Sequence, residues 1–299
     1  SGESYMAGNF IPGQEYYVRV MNAGGFYSTS NHRICVTSYP APANDLCANA
    51  TQLTPSLTCN YTTGTFSGAL KDGGDVGCAS NALQDVWYKF TATDMTMSIS
   101  LGYQTGSNHA FQILQGGCNG SVIACINSYG IDSGESYMAG NFIPGQEYYV
   151  RVMNAGGFYS TSSHRICVTS YPAPANDLCA NATQLTPGTG CTYITGTFLG
   201  AMMDGATPAC ATAAQQDVWY KFTATDVTNS ITLDIISGLN HGFEVIQGGC
   251  NGTVVTCVNS GAAGAYESYY SNDFVPGQEY YIRVFNAAGT SSFSTFRIC

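Results

Sequence analysis

Charged side chains are scarce in this sequence of 299 residues, and their scarcity excludes several classes of protein. There are 9 Lys and Arg against 19 Asp and Glu, which gives a formal net charge of −10. Binding to nucleic acid needs clustered cations, and here the few cations are spread along the chain. No apolar run approaches the ~20 residues that a membrane-spanning helix needs. We therefore predict no nucleic-acid partner and no membrane insertion.

Signatures of catalysis and of cofactor binding are missing as well. The sequence has no Gly-x-Ser-x-Gly elbow, no His-Glu-x-x-His motif and no phosphate-binding loop. Its 13 cysteines include no Cys-x-x-Cys pair of the kind found in zinc sites and redox dithiols. We predict no enzyme activity, no catalytic residue and no cofactor. So many cysteines indicate instead an oxidising, extracellular environment.

What the sequence does contain is a tandem repeat with a period of 132 residues. The stretch 10–20 returns at 142–152 and again at 274–284. Residues 1–55 match residues 133–187 with one difference, Asn31 against Ser163. The cysteines all keep this register, six to a full unit, which predicts three disulfides per domain. Each unit is long enough to bury its own core, so we expect separate domains in series.

The domain limits follow from a short segment that contains two prolines. Residues 38–45 recur at 170–177, and prolines two positions apart favour an extended, semi-rigid spacer. We predict linkers at 40–42 and 172–174. The predicted domains are then 1–39, which is the C-terminal part of a truncated repeat, and the complete repeats 43–171 and 175–299.

Turn signals and short alternating runs predict the fold. Pro12-Gly13 is a turn signal that precedes an alternating strand through Tyr17 and Val20, and Asn119-Gly120 is a hairpin signal. About eight such strands occur in each unit, and no sustained helical period is present. We predict an all-β protein of tandem antiparallel β-sandwich domains of the jelly-roll type.

Four motifs occur in the same order in each unit and together resemble a known family. They are Asn-Asp-Leu-Cys-Ala-Asn-Ala, Asp-Val-Trp-Tyr-Lys-Phe-Thr-Ala, Gly-Gly-Cys-Asn-Gly and Pro-Gly-Gln-Glu-Tyr-Tyr-Val-Arg-Val. The set resembles the bacterial pre-peptidase C-terminal (PPC-like) domains, in the cysteine-rich form of Bacteroidota secreted proteins and adhesins. The resemblance implies a secreted, non-catalytic β-sandwich that is exported by the type IX system, and it implies no ligand.

The four histidines are the first candidates for chemistry. His32 and His164 align with Phe296 in the third copy, so an aromatic ring serves at that position. His109 and His241 occupy matched positions where a loop enters a strand. We interpret them as turn or packing residues; the alternative is a site that each shares with a nearby carboxylate.

Carboxylates offer a second set of candidates. Asp72 and Asp75 flank two glycines, a pattern that suits calcium, but the sibling unit keeps only Asp204. A solvated loop is therefore the preferred interpretation, and no metal is predicted. Asp85 and Asp217 open the strand that contains the tryptophan, where they cap a turn or bind an ion; we favour capping.

Aromatic side chains are abundant, with 21 tyrosines, and an exposed aromatic surface would suit a carbohydrate. Alternation predicts that one tyrosine of each Tyr-Tyr pair is buried and the other exposed. Trp87 and Trp219 either pack in a second layer or lie on the surface, and packing is the preferred interpretation.

Disulfide pairing is predicted first for the two hairpins, Cys118 with Cys125 and Cys250 with Cys257, because Asn-Gly turns bring strands together. For the remaining cysteines six positions allow fifteen connectivities. We predict Cys47 with Cys78, Cys59 with Cys167, Cys179 with Cys210 and Cys191 with Cys299. Five Asn-x-Ser/Thr sequons are candidate glycosylation sites: Asn49, Asn60, Asn119, Asn181 and Asn251.

Repetition itself suggests the function. An active site needs one good copy, whereas a stalk needs length. We predict a stalk or filament segment of a large cell-surface adhesin, such as a gliding-motility adhesin, that projects a distal tip. Its expected partners are the neighbouring repeats and a surface glycan or other ligand at the tip. The alternatives are a carbohydrate-binding repeat module, whose copies supply avidity, and an accessory domain of a secreted protease.

Overall fold

The computed structural model describes residues 3–102, 106–237 and 239–299. Its regular elements are β-strands and two short 3-10 turns, Cys47–Asn49 and Cys179–Asn181. Within these ranges no helix has the length and apolarity required to cross a membrane. Contacts group the chain into two compact units, with Gln146–Val168 in the first and Thr169–Cys299 in the second. The domain limits proposed from the linker sequence remain a prediction.

The first repeat folds into two sheets. Its strands are β1 (Thr51–Gln52), β2 (Thr62–Thr65), β3 (Asp85–Thr91), β4 (Thr96–Gly102), β5 (His109–Gln115), β6 (Ser121–Ile126), β7 (Glu135–Ala139), β8 (Glu147–Asn154) and β9 (Ser163–Tyr171). The five-stranded sheet has the order β1-β3-β8-β5-β6, and the four-stranded sheet has the order β2-β9-β4-β7. Strand β1 runs parallel to β3, and the other pairs with a described register are antiparallel.

The second repeat has the same strand order. Its strands are β10 (Thr183–Gln184), β11 (Ile194–Thr197), β12 (Gln216–Thr223), β13 (Asn229–Ser237), β14 (His241–Gln247), β15 (Thr253–Val258), β16 (Glu267–Ser271), β17 (Glu279–Asn286) and β18 (Thr295–Ile298). The sheets are β10-β12-β17-β14-β15 and β11-β18-β13-β16. The predicted fold of tandem β-sandwiches is confirmed.

Period-two alternation explains why each pair of sheets packs face to face. In β12 the side chains of Val218, Tyr220 and Phe222 point to one face and join a core that Ile231 and Leu233 of β13 complete from the other sheet. All five are at most 4% exposed. Burying one such side chain contributes about 1.5–3 kcal/mol, so this two-sided apolar layer is the main stabilising term of the sandwich.

The Pro-Gly turn has the conformation that its sequence predicts. Gly13 and Gly145 have φ of 83°, and Gly277 has φ of 84°. A positive φ at the residue after proline is what a type II turn requires, and glycine adopts it without strain. All three copies of this turn are formed.

The strands predicted after the first Pro-Gly turn are wrong, because residues 3–46 contain no strand. The second copy of the same sequence forms β8, which lies between β3 and β5. The printed sequence holds no equivalents of β3 and β5 before residue 10. Strands need partners and an apolar face to cover, so the same residues stay extended here.

The predicted hairpin disulfides are also wrong. Strands β5 and β6 do pair, but Cys118 lies in the turn between Gln115 and Ser121, whereas Cys125 lies opposite Gln112. The two cysteines are therefore too far apart along the ladder to be bonded, and the same holds for Cys250 and Cys257. Pairing of Cys47 with Cys78 and of Cys179 with Cys210 is wrong as well.

The observed disulfides each connect parts of the repeat that are distant in sequence. Cys59–Cys167 and Cys191–Cys299 agree with the prediction. The others are Cys47–Cys118, Cys78–Cys125, Cys179–Cys250 and Cys210–Cys257. Cys47–Cys118 ties the start of the repeat to the tip of the β5–β6 hairpin, and Cys78–Cys125 ties the loop before β3 to β6. Each repeat has three bridges, as predicted.

Candidate functional site

The outward face of the five-stranded sheet carries a buried ion pair in the first repeat. Neighbouring strands place Trp87, Arg151 and Gln112 in one row across the sheet. Asp85 begins β3 two residues before Trp87 and so points to the same face. Arg151 donates to Oδ2 of Asp85 from Nε at 2.7 Å and from Nη2 at 2.5 Å. Asp85 has no exposed surface and Arg151 is 4% exposed.

The second repeat has the same pair with an additional carboxylate. Arg283 donates from Nε to Oδ2 of Asp217 at 2.5 Å, and its guanidinium lies 5.3 Å from the ring centroid of Trp219. Glu244 occupies the place of Gln112, with Oε2 3.7 Å from Nη1 of Arg283. One buried arginine therefore faces two carboxylates here and one in the first repeat.

This ion pair also anchors a loop, which we call the end loop: residues 70–83 in the first repeat and 202–215 in the second. Nη1 of Arg151 donates to the carbonyl of Gly74 at 2.9 Å, and Nη1 of Arg283 donates to the carbonyl of Ala206. The N–H of Asp72 donates to Oδ1 of Asp85 at 3.0 Å. The buried charges thus hold the end loop onto the sheet.

The calcium candidates lie in the end loop, but the structure does not bring them together. Asp72 and Asp204 accept hydrogen bonds from the backbone N–H of Cys47 at 2.7 Å and of Cys179 at 2.8 Å. Asp75 is exposed and pairs with Lys71, whose hydrogen bond lowers the pKa of Asp75. Among the described residues no group of three His, Cys, Asp or Glu side chains has an arrangement that could hold a metal ion.

Burial dominates the electrostatics of the two central aspartates. It raises the pKa of Asp85 to about 6 and that of Asp217 to about 7, against the opposing attraction of the arginines. A raised carboxyl pKa is a feature of many active sites, and structural ion pairs produce it too. Here both carboxylates are fully buried and engaged by backbone and guanidinium groups, so the arrangement suits a scaffold.

Trp87 and Trp219 pack in a second layer outside the sheet, as we preferred. Trp87 is 3% exposed and contacts Cys47 and Leu114, with Cys118 beside them. Each indole Nε1 is buried without a hydrogen-bond partner in the described part of the chain. Neither ring is available to stack on a ligand.

The histidines lie in the apolar interior. His164 is fully buried, and its Nε2 lies 2.8 Å from the hydroxyl of Tyr88. His109 is 3% exposed, with Nε2 2.9 Å from Oγ of Ser107 and 3.3 Å from Oγ of Ser162. Burial lowers the pKa of His164 to about 3 and that of His109 to about 4. Both rings are neutral at neutral pH and pack against aromatic neighbours.

The second repeat contains one of these two rings. Nε2 of His241 lies 2.8 Å from Oγ of Ser294, and burial lowers its pKa to about 4. Phe296, the counterpart of His164, is fully buried 5.9 Å from the His241 ring. The alternative of a histidine site shared with a carboxylate finds no hydrogen-bonded carboxylate partner in the described residues.

The outward face of the four-stranded sheet has an aromatic residue and an arginine in contact in each repeat. The guanidinium of Arg165 lies 4.5 Å from the ring centroid of Tyr61, and that of Arg297 lies 4.9 Å from Tyr193. Both tyrosines are about half exposed. The arginine occupies one face of each ring, which reduces the aromatic surface open to a sugar.

Two cavities stand out in the described structure. One, in the second repeat, has a volume of about 40 Å³ and is lined by Tyr269, Ser271 and Asp273 among others. The other is an open groove of about 570 Å³ beside the end loop of the first repeat. Only the groove is large enough for part of an organic ligand.

The candidate glycosylation sites are all exposed at the asparagine: Asn49, Asn60, Asn119, Asn181 and Asn251. Exposure is necessary for glycosylation, which itself stays a prediction.

Sequence reasoning overlooked Arg151 and Arg283. Both lie in the Tyr-Tyr-Val-Arg-Val motif, where alternation places the valines in the core and the arginine on the opposite face. An aspartate at the start of the tryptophan strand was the matching signal, because a buried arginine needs an acidic partner.

Comparison with known proteins links both repeats to one family. The profile of a family described as galactose binding domain-like, associated with the type IX secretion system (T9SS), matches residues 43–166 and 175–298. No match to a functionally curated protein was found. The family match confirms the resemblance that the four motifs indicated.

Several solved structures are similar at a low level. The pre-peptidase C-terminal domain of a collagenase from Bacillus anthracis has 13% identity and a TM-score of 0.26, over 40% of this chain and 95% of that one. A fucolectin from Morone saxatilis (striped bass) has 12% identity and a TM-score of 0.23, over 81% and 96%. A tandem of CBM22 domains from Paenibacillus barcinonensis has 11% identity and a TM-score of 0.19, over 73% and 81%. Similarity this low carries no argument about function.

Proposed function

The chain belongs to the family of galactose-binding-domain-like modules associated with the type IX secretion system, and on that premise we propose that it is a non-catalytic repeat segment of a cell-surface adhesin. In this role it acts as a mechanical spacer that holds a distal tip away from the cell. Six disulfides and the secretion-associated family place the protein outside the cell; attachment to the surface is part of the proposal.

The observation that carries this proposal is the position of one disulfide in each repeat. Cys59 lies before β2 and Cys167 lies in β9, 108 residues later, with their Cα atoms 5.4 Å apart. Cys191 and Cys299 repeat the arrangement. A pulling force that enters at the first cysteine therefore leaves at the second without loading the chain between them.

The length of chain that does carry the load is short. Between Cys167 and Cys191 only 24 residues separate one enclosed segment from the next. A spacer needs this property, because a sandwich that unravelled under load would lengthen by hundreds of ångströms. Connected in this way, a repeat stays short even when its hydrogen bonds break.

Absence of catalysis is supported by what the candidate groups do. Asp85, Asp217 and their arginines hold the end loop, and the histidines fill the core. None of these groups faces a cavity large enough for a substrate in the described structure. The expected partners are the neighbouring repeats and a ligand at the tip.

A second candidate function is carbohydrate binding by the repeats themselves. One observation favours it, the open groove of about 570 Å³ in the first repeat. The two functions are compatible, since a spacer can also attach along its length.

Single-molecule force spectroscopy tests the spacer role. The oxidised chain, held by its two ends, should show no extension step from the enclosed segments, and such steps should appear once a reductant is added. Extension steps of the same length before and after reduction would contradict the proposal.

A further inference from the structure

We propose that the groove beside the end loop of the first repeat is a binding site for a neutral saccharide, and that the end loop sets which ligand each repeat binds. This inference rests on the second candidate function and is independent of the spacer role. It begins from the way in which the two repeats differ.

Differences between the repeats are concentrated in the end loop. In residues 70–83 the positions that hold the loop are unchanged, namely Asp72, Gly73, Cys78, Ala79 and Ala82. Most of the remaining positions differ from residues 202–215. A constant frame with variable positions between its anchors is the arrangement expected of a recognition loop, because side chains can change there without a loss of stability.

The frame is rigid on both sides of the groove. On one side Cys78–Cys125 and the hydrogen bond from Arg151 to Gly74 fix the end loop. On the other side the turn at Gly156 and Gly157 is held by Asn154, whose Nδ2 donates to the carbonyl of Phe158 at 2.7 Å and whose Oδ1 accepts from Gly156 at 3.1 Å. Preformed walls reduce the entropy that a ligand must overcome on binding.

The lining of the groove indicates the chemistry of the ligand. Lys71 and Asp75 form an ion pair with each other at the rim, so the groove has no unpaired charge to offer an ion. Ser80 and Asn81 add an exposed hydroxyl and amide, and Leu83 adds a partly exposed apolar contact. Donors and acceptors of both kinds beside one apolar side chain fit a neutral, hydroxyl-rich ring.

The second repeat has the same frame with a different lining. Asn286 holds the equivalent turn through Nδ2 to the carbonyl of Thr290 at 2.7 Å. The lining positions, however, carry Met203, Thr207 and Ala213 in place of Lys71, Asp75 and Asn81. The charged pair and the amide are lost together, so we expect the second repeat not to bind the ligand of the first.

Nuclear magnetic resonance on the full oxidised chain tests this site. Isotope-labelled protein is titrated with galacto-, manno- and gluco-oligosaccharides as the probes. We expect at least one of these to shift the backbone amides of 71–83 and 156–157 and to leave those of 203–215 unchanged. The inference is overturned if none of the three shifts these amides, or if the shifts map elsewhere, for example to Tyr61 and Arg165.

Substitutions taken from the second repeat provide matched variants. Lys71→Met, Asp75→Thr and Asn81→Ala each import a residue that the same frame already accommodates. Asn81→Ala should weaken binding about tenfold, which corresponds to the loss of one or two hydrogen bonds. The exposed control Ser121→Thr, also taken from the second repeat, should leave affinity unchanged. Equal affinity of the wild type and the triple variant would overturn the proposal.

The reciprocal variant tests whether the loop determines specificity. Met203→Lys, Thr207→Asp and Ala213→Asn together should give the second repeat amide shifts with the oligosaccharide that the first repeat binds. Failure of this transfer in a folded variant would refute the role of the loop in specificity. Neither set of substitutions touches a disulfide, so force measurements on the same proteins report separately on the spacer role.

Discussion

Removal of the carboxylate of Asp85 leaves Arg151 as a buried charge without its partner. Asp85→Ala should destabilise the first repeat by about 3–5 kcal/mol, because the cost of a desolvated, unpaired charge exceeds that of the missing atoms. Denaturant unfolding measures this loss. Each repeat has one tryptophan, so a Trp219→Phe background lets Trp87 fluorescence report on the first repeat alone.

Asp75→Ala is the matched control for that measurement. Asp75 lies in the same loop, but its pair with Lys71 is exposed, and exposed pairs contribute about 0–1 kcal/mol. Similar losses for the two variants would contradict a structural role for the buried pair. Adding Arg151→Met to Asp85→Ala should recover part of the stability, since it removes the unpaired charge.

The buried histidines predict sensitivity to acid. His164 has a folded-state pKa of about 3, below its unfolded value near 6.5, so the unfolded chain binds a proton that the folded chain does not. Its contribution to stability is complete above pH 6.5 and is lost as pH falls from there towards 3. At pH 4.5 the loss is roughly 2–3 kcal/mol.

His164→Phe should remove this part of the acid sensitivity. The second repeat supplies the precedent, because Phe296 fills the same core position beside Tyr220. Denaturant unfolding at pH 7 and pH 4.5 should show a smaller difference for the variant than for the wild type. The converse change, Phe296→His, should make the second repeat more acid-sensitive; no change in either repeat would contradict the assignment.

The end loop is the element whose order depends most on a single bridge. Cys78–Cys125 closes 47 residues and ties this loop to β6. Cys78→Ser with Cys125→Ser should leave the sandwich folded and free the loop, so that trypsin cleaves after Lys71. Mass spectrometry of brief digests measures the cut. Adding Lys71→Met should abolish it, and equal cleavage of the wild type would show that the loop is mobile without this change.

Elements whose pattern is local could be predicted from sequence. The Pro-Gly turn, the β5–β6 hairpin and the alternating strands follow from glycine, proline and period-two burial, which act over a few residues. The same reasoning failed for residues 3–46, because a strand also needs partners that the pattern itself does not contain. Near-identical residues form β8 and β9 only where β2 to β5 are present.

Features that depend on distant contacts could be predicted only in part. Cys59–Cys167 was predicted, but Cys78 and Cys125 meet because Cys125 points outward from β6 towards the end loop, and no local signal encodes that. Arg151 was missed for a similar reason. Its partner lies 66 residues away, and only the register of β3 against β8 brings the two together.

At the scale of the whole molecule, the disulfides form a nested covalent network. The shortest covalent path through the first repeat runs from Cys47 along 12 residues to Cys59 and then across to Cys167. Cys47–Cys118 offers a longer route, with 49 residues from Cys118 to Cys167. Cys78–Cys125 lies on neither of the chain segments that the shortest path uses. Each bridge therefore has a distinct effect on extensibility.

These paths predict how far the first repeat extends when particular bridges are removed. In a Cys35→Ser background, Cys59→Ser with Cys167→Ser diverts the load through Cys47–Cys118 and adds 37 residues to the path. At about 3.3–3.6 Å per residue the unfolding step should be roughly 120–130 Å. Full reduction should instead release 108 residues, or about 360–390 Å. Force spectroscopy resolves the two lengths, and Cys78→Ser with Cys125→Ser is the control that should add no length. A step of about 360–390 Å from the Cys59/Cys167 variant would refute the Cys47–Cys118 bridge, whereas no step in the fully reduced protein would refute disulfide protection of the spacer.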